Sequence, residues 1–454
     1  MPGDTWSIES WRTKPTGPMP AYPDEAAAAE VVGRLRGLPP LVTSWEIERL
    51  RALLAEAQDG RRFVLQGGDC AERLADCTPR AITTKLKILL QMSLVLVHGA
   101  HKPVVRVGRF AGQYAKPRSS PTETRPGASG EPLTLPSYYG DGLNHAEFDP
   151  DARAPDPGLM LAGYHHAAMT LNFVRSLVEG GFADLHHPEN WELAFMDHAG
   201  LRDEVRAEYL AARDSLAGAL RFMEALGETS IDDLTRVEFF TSHEALNLYY
   251  ESAQTRAVPR RPGHYLLTAH MPWIGERSRD PGGAHVELLR GVRNPIGVKI
   301  GPDADPADVV RLTRVLNPDN EPGRLTLILR LGAGRVEEAL PGIVNAVTDA
   351  GARVLWMADP MHGNTVTTAS GVKTRSFDAI LEELERSFDA HARLGTRLGG
   401  VHFELTGEDV TECVGGAAGP TEADLARNYT SLCDPRLNYQ QSMELAFRIA
   451  RRIR

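Results

Sequence analysis

The sequence predicts an α/β protein, a (β/α)8 barrel with an N-terminal helical extension and a helical insertion after the second strand. Three observations carry that expectation. Short apolar, often β-branched runs recur along the chain and are near-continuous rather than alternating, as parallel strands buried on both faces require. There are eight of them, mostly followed by helical patterns. Reactive side chains follow the runs: Cys70, Arg109, His243-Glu244, Trp273 to Arg277, Lys299, Arg330, Asp359 to His362 and Glu404. A doubly wound sheet is the alternative, but it would spread these groups along an open edge. The loops after barrel strands converge on one mouth.

In chain order, a Pro-rich arm to about Pro23 precedes an Ala-rich helix from Asp24 to about Arg36. Thr43 and Glu46 have capping-box spacing and open a second helix that ends near Gly60. The eight runs are Phe63–Leu65, Val104–Val107, Val237–Phe240, Tyr265–Thr268, Ile296–Ile300, Leu325–Leu329, Val354–Met357 and Val401–Phe403. Thr78-Pro79 starts a helix that closes at His98-Gly99, with proline at its first position. More than a hundred residues separate the second and third runs, with helical patterns over Gly158–Glu179 and Arg202–Leu226. A plain barrel needs far less, so this is read as an insertion. The expected organisation is residues 1–60 as arm and helices and 61–454 as the catalytic domain, with an accessory insertion at about 150–230. The insertion serves either oligomer or effector contacts or simple cover for the barrel.

Fifty basic against sixty acidic residues give a formal charge of -10. That argues against a nucleic-acid or membrane-surface partner, while leaving room for a local basic pocket. No apolar run is read as transmembrane, and the first residues lack a signal layout. Four cysteines (Cys70, Cys77, Cys413, Cys433) in so long a chain do not form a disulfide framework, so a cytoplasmic protein with reduced thiols is expected.

Four residues have metal-ligand chemistry: Cys70 in GGDCAE, His362 in DPMHGNT, Glu404 in VHFELTG and Asp434 in CDPRLN. A thiolate, an imidazole and two carboxylates suit manganese, iron, cobalt or zinc better than calcium. No CxxC or HExxH spacing supports the set, and each member has a structural reading as a buried thiol, a loop histidine or a structural acid. A second constellation is basic. Arg109, Lys299 and Arg330 end or follow apolar runs, where a charge is costly unless paired. Lys116, Arg118 and Ser119 in KPRS and Arg277 and Arg279 in GERSR add to it. Guanidinium forks suit phosphate and carboxylate, so a pocket for two phosphorylated substrates is one reading. Ion pairing with nearby acids is the other, expected for Arg279 more than for the strand-end trio. His165-His166 reads as a helix surface feature and His186-His187 as a loop pair. Neither a P-loop nor a nucleophile elbow is present.

LQGGDCAE, RVGRFAGQYAKPRS, TSHEALNLYYE, WIGERSR, NPIGVKIGP, DPMHGNT, GVHFELTGEDVTECVGG and CDPRLNYQQSMELAF closely resemble class II, or plant-like, 3-deoxy-D-arabino-heptulosonate 7-phosphate (DAHP) synthases, in order from about Trp6 to the C-terminus. The resemblance implies condensation of phosphoenolpyruvate with erythrose 4-phosphate, the first step of the shikimate pathway. It assigns Cys70, His362, Glu404 and Asp434 to a divalent metal, Mn2+ first, with Co2+, Fe2+ or Zn2+ as alternatives. Arg109, Lys299, Arg330 and the Glu276-Arg277 segment go to phosphoenolpyruvate. Arg118, Ser119 and Arg277 go to the aldose phosphate, with Lys116 at its reacting end. Lys116 and His362 are the candidates for proton handling. Cys433, beside Asp434, is expected to reach Cys70 and to form a disulfide with it when metal is absent. A homo-oligomer (dimer or tetramer) is implied, with chorismate mutase or an aromatic amino acid as candidate regulators. An amino-DAHP synthase of antibiotic biosynthesis and a catalytically dead, mutase-binding paralogue are the competing functions. The sequence departs from the family at Tyr138-Tyr139-Gly140-Asp141, where Tyr-Arg-Gly-Asp is frequent, and in the segment LHHPENWELAFM.

Overall fold

The computed structural model describes residues 6–126, 130–179, 203–225, 238–417 and 419–453. His186-His187 and LHHPENWELAFM lie outside these residues.

Eight strands form one parallel sheet: β1 (Phe63–Gly68), β2 (Val104–Arg109), β3 (Phe239–Thr241), β4 (Trp273–Ile274), β5 (Ile296–Ile300), β6 (Leu325–Leu329), β7 (Leu355–Ala358) and β8 (Leu398–Glu404). The order is β3-β2-β1-β8-β7-β6-β5-β4, so each strand but the edge pair β3 and β4 lies beside its sequence neighbours, and β1 pairs with β8. The sheet curls until its edges meet just beyond β3 and at β4. Glu244 and Trp273 form a parallel bridge there, with Trp273 N–H donating to His243 O (3.0 Å) and Ala245 N–H to Trp273 O (3.0 Å).

The fourth strand differs from the expectation. Tyr265 and Leu266 belong to an antiparallel pair, His264–Leu266 with Thr255–Ala257, beside the main sheet. Trp273–Ile274 takes the place instead, two residues long and paired to β5. Val237, at the start of the expected third run, lies outside the described residues. Arg109 and Glu404 are the last residues of their strands rather than loop residues.

Helices pack where their caps and apolar faces place them. α1 (Glu25–Arg36) is capped by Asp24, and α2 (Ser44–Gln58) by the expected Thr43/Glu46 box. Leu50, Leu53, Leu54 and Ala57 of α2 pack with Val64, Val105, Val107, Phe240, Ile328, Leu355 and Met357, of which Val64, Val105 and Leu355 lie in the first two residues of their strands, at the N-terminal end. That end is sealed by apolar contact, leaving the C-terminal end for chemistry.

α3 (Pro79–Ala100) is capped by Thr78 and closes at His101, whose φ of 52° ends the helix in the left-handed region. Contrary to the expectation above, α3 is long and apolar enough to cross a membrane by length and composition. It packs on β1, β2 and α10 (Tyr439–Ala450). Its buried Lys85 is ion-paired to Asp69, which marks a core helix. Between β2 and β3 come α4 (Gly158–Glu179) and α5 (Asp203–Ala225), both in contact with α3. The sheet is completed by α6 (Ala284–Arg290), α7 (Pro306–Leu316), α8 (Val336–Asp349) and α9 (Phe377–Arg393).

Candidate active site

The strand ends bring Cys70, Glu404 and Asp434 together: their ligand atoms lie within 4.8 Å of one another. Each is placed by backbone geometry. Gly68 ends β1 at φ 144°, and a Cβ there would lie 2.8 Å from Arg109 O, so the close approach of β1 to β2 requires glycine just before Cys70. Asp434 lies beyond the last strand. It is carried back because Leu437 bridges Leu405, with Leu437 N–H on Glu404 O (3.0 Å) and Thr406 N–H on Leu437 O (2.9 Å). Arg436 ties this segment to the Cys70 loop by donating to Asp69 Oδ1 (2.8 Å) and to Glu412.

His362 completes the cluster, with Nε2 2.9 Å from Glu404 Oε1. Its other nitrogen, Nδ1, is 2.7 Å from Asp359 Oδ2. A carboxylate on Nδ1–H leaves the Nε2 lone pair facing the cluster, the arrangement that orients metal-binding histidines. Lys116, held by its N–H on Tyr139 O (2.8 Å), places its ammonium among the donors. Nζ lies 2.7 Å from Cys70 Sγ, 2.9 Å from Glu404 Oε1, 2.6 Å from Asp434 Oδ2 and 3.5 Å from His362 Nε2. Among these donors there is thus a position that accepts a positive charge.

Burial alone would raise the Glu404 pKa, but His362, Lys116, Arg375 and Arg109 hold it well below the usual carboxylate range. The Cys70 thiol is pushed up by burial, by its contact with Cys433 and by the Glu404 charge. Burial opposes the charge on Lys116, yet Asp434, Cys70 and Glu404 keep it protonated.

Above the cluster opens a cleft of about 380 Å³. Every other expected site residue lines it: Arg109, Lys116, Arg118, Ser119, Glu276, Arg277, Lys299, Arg330, His362 and Asp434. Two of the strand-end trio are ion-paired, against expectation. Arg109 Nη2 donates to Glu404 Oε1 (3.0 Å), and Lys299 Nζ contacts Asp359 Oδ2. Both are buried, and a buried cation needs such a partner. Arg279 pairs with Glu276, as expected. Among the described residues Arg118, Arg277 and Arg330 have no acidic partner within 4 Å; Arg330 donates to His362 O (2.7 Å) and Arg277 to Ser119 Oγ (3.1 Å). Burial brings Lys299 down to about 8 against the pull of Asp359, and pushes Glu244 up to about 7 against the surrounding cations.

Several residues of the site were not singled out in the sequence. Arg375 sits on the antiparallel pair Thr365–Thr367 with Lys373–Arg375, fully buried, and donates to Glu404 Oε2 (2.7 Å). Lys373 of the same pair lines the cleft and reaches Asp434 Oδ1 (3.4 Å). His402 and Gln66 lie beneath Arg109 within recognised motifs, where only their place in a strand marked them. His166 stays apart, bonded to Ala162 O within α4.

A parallel sheet whose C-terminal end joins a thiol, imidazole and carboxylate cluster to a cleft of arginines defines an α/β enzyme of phosphorylated small molecules, with a centre fit for a divalent cation. Comparison with known proteins makes this specific. The Class-II DAHP synthetase family profile matches residues 6–450. Three proteins named phospho-2-dehydro-3-deoxyheptonate aldolase are similar over nearly their full length. The Neurospora crassa protein is 46% identical over 98% of this chain and 94% of its own. The Streptomyces coelicolor protein is 47% identical over 97% and 96%. The Mycolicibacterium smegmatis protein is 43% identical over 98% and 94%. The chain belongs to the class-II DAHP synthetase family.

Proposed function

We propose that this enzyme condenses phosphoenolpyruvate with erythrose 4-phosphate and water, releasing DAHP and inorganic phosphate as the first step of the shikimate pathway. The observation that carries this reading is one cleft holding both a cation-accepting donor cluster and three arginines without acidic partners. Family membership and the shared name of the relatives support it. They favour neither an amino-sugar variant nor a dead regulatory paralogue, and the complete donor and arginine sets argue against the latter.

The sheet with its bridged edges is read as a (β/α)8 barrel spanning residues 61–454, with 1–60 as an extension and about 150–230 as a helical insertion. Four free cysteines fit a reducing, cytoplasmic setting. A homo-oligomer, an aromatic amino acid effector and a mutase partner follow from the family and are checked by light scattering and inhibition assays.

Cys70, His362, Glu404 and Asp434 would hold the divalent ion, Mn2+ first, with Co2+, Fe2+ or Zn2+ as alternatives; the mixed sulfur, nitrogen and oxygen donors fit that group. When bound, the ion supplies Lewis-acid polarisation of the aldehyde. Arg109, Lys299 and Arg330 grip the phosphate and carboxylate of phosphoenolpyruvate, and Glu276 holds the neighbouring loop through Gly301 N–H. Arg118, Ser119 and Arg277 hold the aldose phosphate. Fixing both anions sets C3 of one substrate against the aldehyde carbon of the other and removes much of the entropic barrier. Lys116 Nζ, which lies beside the Cys70, Glu404 and Asp434 donors, delivers a proton to the aldehyde oxygen as the carbon–carbon bond forms. Water adds at C2 of the former phosphoenolpyruvate, and phosphate leaves by C–O cleavage. His362 is placed first as a ligand through Nε2; with Nδ1–H given to Asp359, it can take a proton only while Nε2 is free of the ion.

The test incubates the full chain with phosphoenolpyruvate, erythrose 4-phosphate and MnCl2. Phosphate release should match, mole for mole, a product of DAHP mass. No release from folded, manganese-loaded protein overturns the proposal. Turnover of an amino-substituted aldose in preference to erythrose 4-phosphate would move it to the amino variant.

A further inference from the structure

One layer below the substrate cleft a chain of hydrogen bonds crosses the barrel from β2 to the segment before β4. Arg109 Nη1 lies 2.6 Å from His402 Nε2, and His402 Nδ1 lies 2.8 Å from Gln66 Oε1. Gln66 Nε2 donates to Ser242 Oγ at 2.8 Å, and Ser242 Oγ donates to Met271 O at 2.5 Å. All four side chains are buried. Strand register stacks them: Gln66 pairs with His402 across β1 and β8, while Gly68, two residues on, is level with both Arg109 and Glu404.

The direction of this chain is forced from both ends. A guanidinium only donates, so His402 Nε2 carries no proton. A backbone carbonyl only accepts, so the Ser242 hydroxyl points at Met271 and its oxygen receives the Gln66 amide. The remaining proton of neutral His402 sits on Nδ1 and meets Gln66 Oε1. Every proton then has one place, with no choice left at the imidazole or the amide.

We propose that Gln66, His402 and Ser242 are positioning residues that aim Arg109 at the anionic groups of phosphoenolpyruvate without neutralising it. This rests on the reading of Arg109 as a substrate ligand. Glu404 and Cys70 O hold Nη2 from one side. A second carboxylate in place of His402 would fix Nη1 equally well, but would cancel the charge the substrate needs. A neutral imidazole, locked in one tautomer by a chain that ends on the backbone, fixes direction alone. Among the described residues the Arg109 Nε–H has no acceptor.

The test uses Gln66→Met, which keeps length and volume but can neither accept from His402 nor donate to Ser242, and Ser242→Ala, which removes only the far end. On the full-length protein, phosphoenolpyruvate binding is followed by tryptophan fluorescence and turnover by phosphate release. Gln66→Met should raise Kd and KM for phosphoenolpyruvate about tenfold, and Ser242→Ala about threefold, as expected for weakening one hydrogen bond to a charged group. KM for erythrose 4-phosphate and Mn2+ affinity should stay at the parental values. Nitrogen NMR of labelled histidine should show one histidine losing its fixed Nδ1–H tautomer in Gln66→Met. Arg109→Gln separates the two levels of argument. If it loses phosphoenolpyruvate binding while Gln66→Met and Ser242→Ala keep parental values, the positioning role is wrong and the substrate assignment stands. If Arg109→Gln itself binds phosphoenolpyruvate normally, both fall. Equal losses for both substrates and the metal mark general distortion and also overturn the proposal. Should Gln66→Met fail to fold, Ser242→Ala carries the same outcomes.

Discussion

On the wall of the cleft built from β1, β2 and β8, charge is met by charge within the protein. Arg109 and Arg375 grip opposite oxygens of Glu404, Lys116 bridges Glu404 and Asp434, and Arg436 joins Asp69 to Glu412. Across the cleft, Arg330 follows β6 and Arg277 follows β4, bonded among the described residues to His362 O and Ser119 Oγ. The first wall is braced and buried, and the second holds cations in reserve for a ligand. Removing a side chain from the braced wall should therefore damage the metal centre or the fold, and at Arg109, which also lines the cleft, phosphoenolpyruvate binding as well. Removing one from the other wall should damage substrate affinity alone.

The largest effect falls on Cys70. Cys70→Ala should lose bound metal, measured by elemental analysis, together with turnover, by more than about a thousandfold if Lewis-acid polarisation carries the step. Full activity of metal-free Cys70→Ala would end the metal assignment. The same thiol offers a second check, since Cys70 and Cys433 are in contact. Treating metal-stripped protein with diamide should convert both thiols to one disulfide, the N=N bond of the reagent taking up both hydrogens to give its hydrazinedicarboxamide. Mass spectrometry that finds free Cys70 after this treatment rejects the pairing.

The next two variants test the walls against each other. Arg375→Gln leaves Glu404 half unpaired in the interior, and breaking such a buried pair costs about 3 to 5 kcal/mol. Its Tm should fall whether or not substrate is present. Arg330→Gln breaks no ion pair among the described residues, so Tm should hold while KM for phosphoenolpyruvate rises about a hundredfold, as for one lost bidentate contact. A large drop in Tm for Arg330→Gln, with KM unchanged, would erase the distinction between the walls.

How far the sequence could be read follows the same divide. Strand ends and motif residues such as Arg330, Arg277 and Cys70 are visible because the signal is local: an apolar run, then a reactive group. Pairing is not local. Arg109 meets Glu404 across 295 positions and Lys299 meets Asp359 across 60, so both looked unpaired in the chain and are paired in space. Arg375 was invisible for the same reason, lying in a short antiparallel pair after β7. The misplaced fourth strand has another cause. Tyr265–Thr268 is apolar enough for a strand, whereas Trp273–Ile274 is too short to show any period, and only pairing with β5 selects it. The capping box at Thr43, by contrast, is contained in four residues and was legible in full.

The smallest expected effect lies between the walls, at Glu383 of α9. Its Oε1 accepts from Leu331 N–H (2.8 Å) and its Oε2 from Asn364 Nδ2 (2.6 Å), so it clamps the loop after Arg330 to the loop after His362. Those loops touch so closely that a Cβ on Gly363 would lie 2.2 Å from Gly332 N. Burial pushes the Glu383 carboxyl up from 4.5 to about 8, against the pull of those donors. Because the folded pKa lies above the unfolded one, this group's contribution to stability is fully present below pH 4.5 and is lost as pH rises through about 8. Glu383→Gln removes that dependence. It also adds a constant cost, since the new amide N–H faces Asn364 Nδ2, a donor. The informative quantity is therefore the slope: Tm of the parent should fall more than Tm of Glu383→Gln between pH 5 and pH 8.5. Parallel curves would mean that the carboxyl is ionised throughout and that the clamp is simply a buried anion held by its three donors, one of them Gly332 N–H.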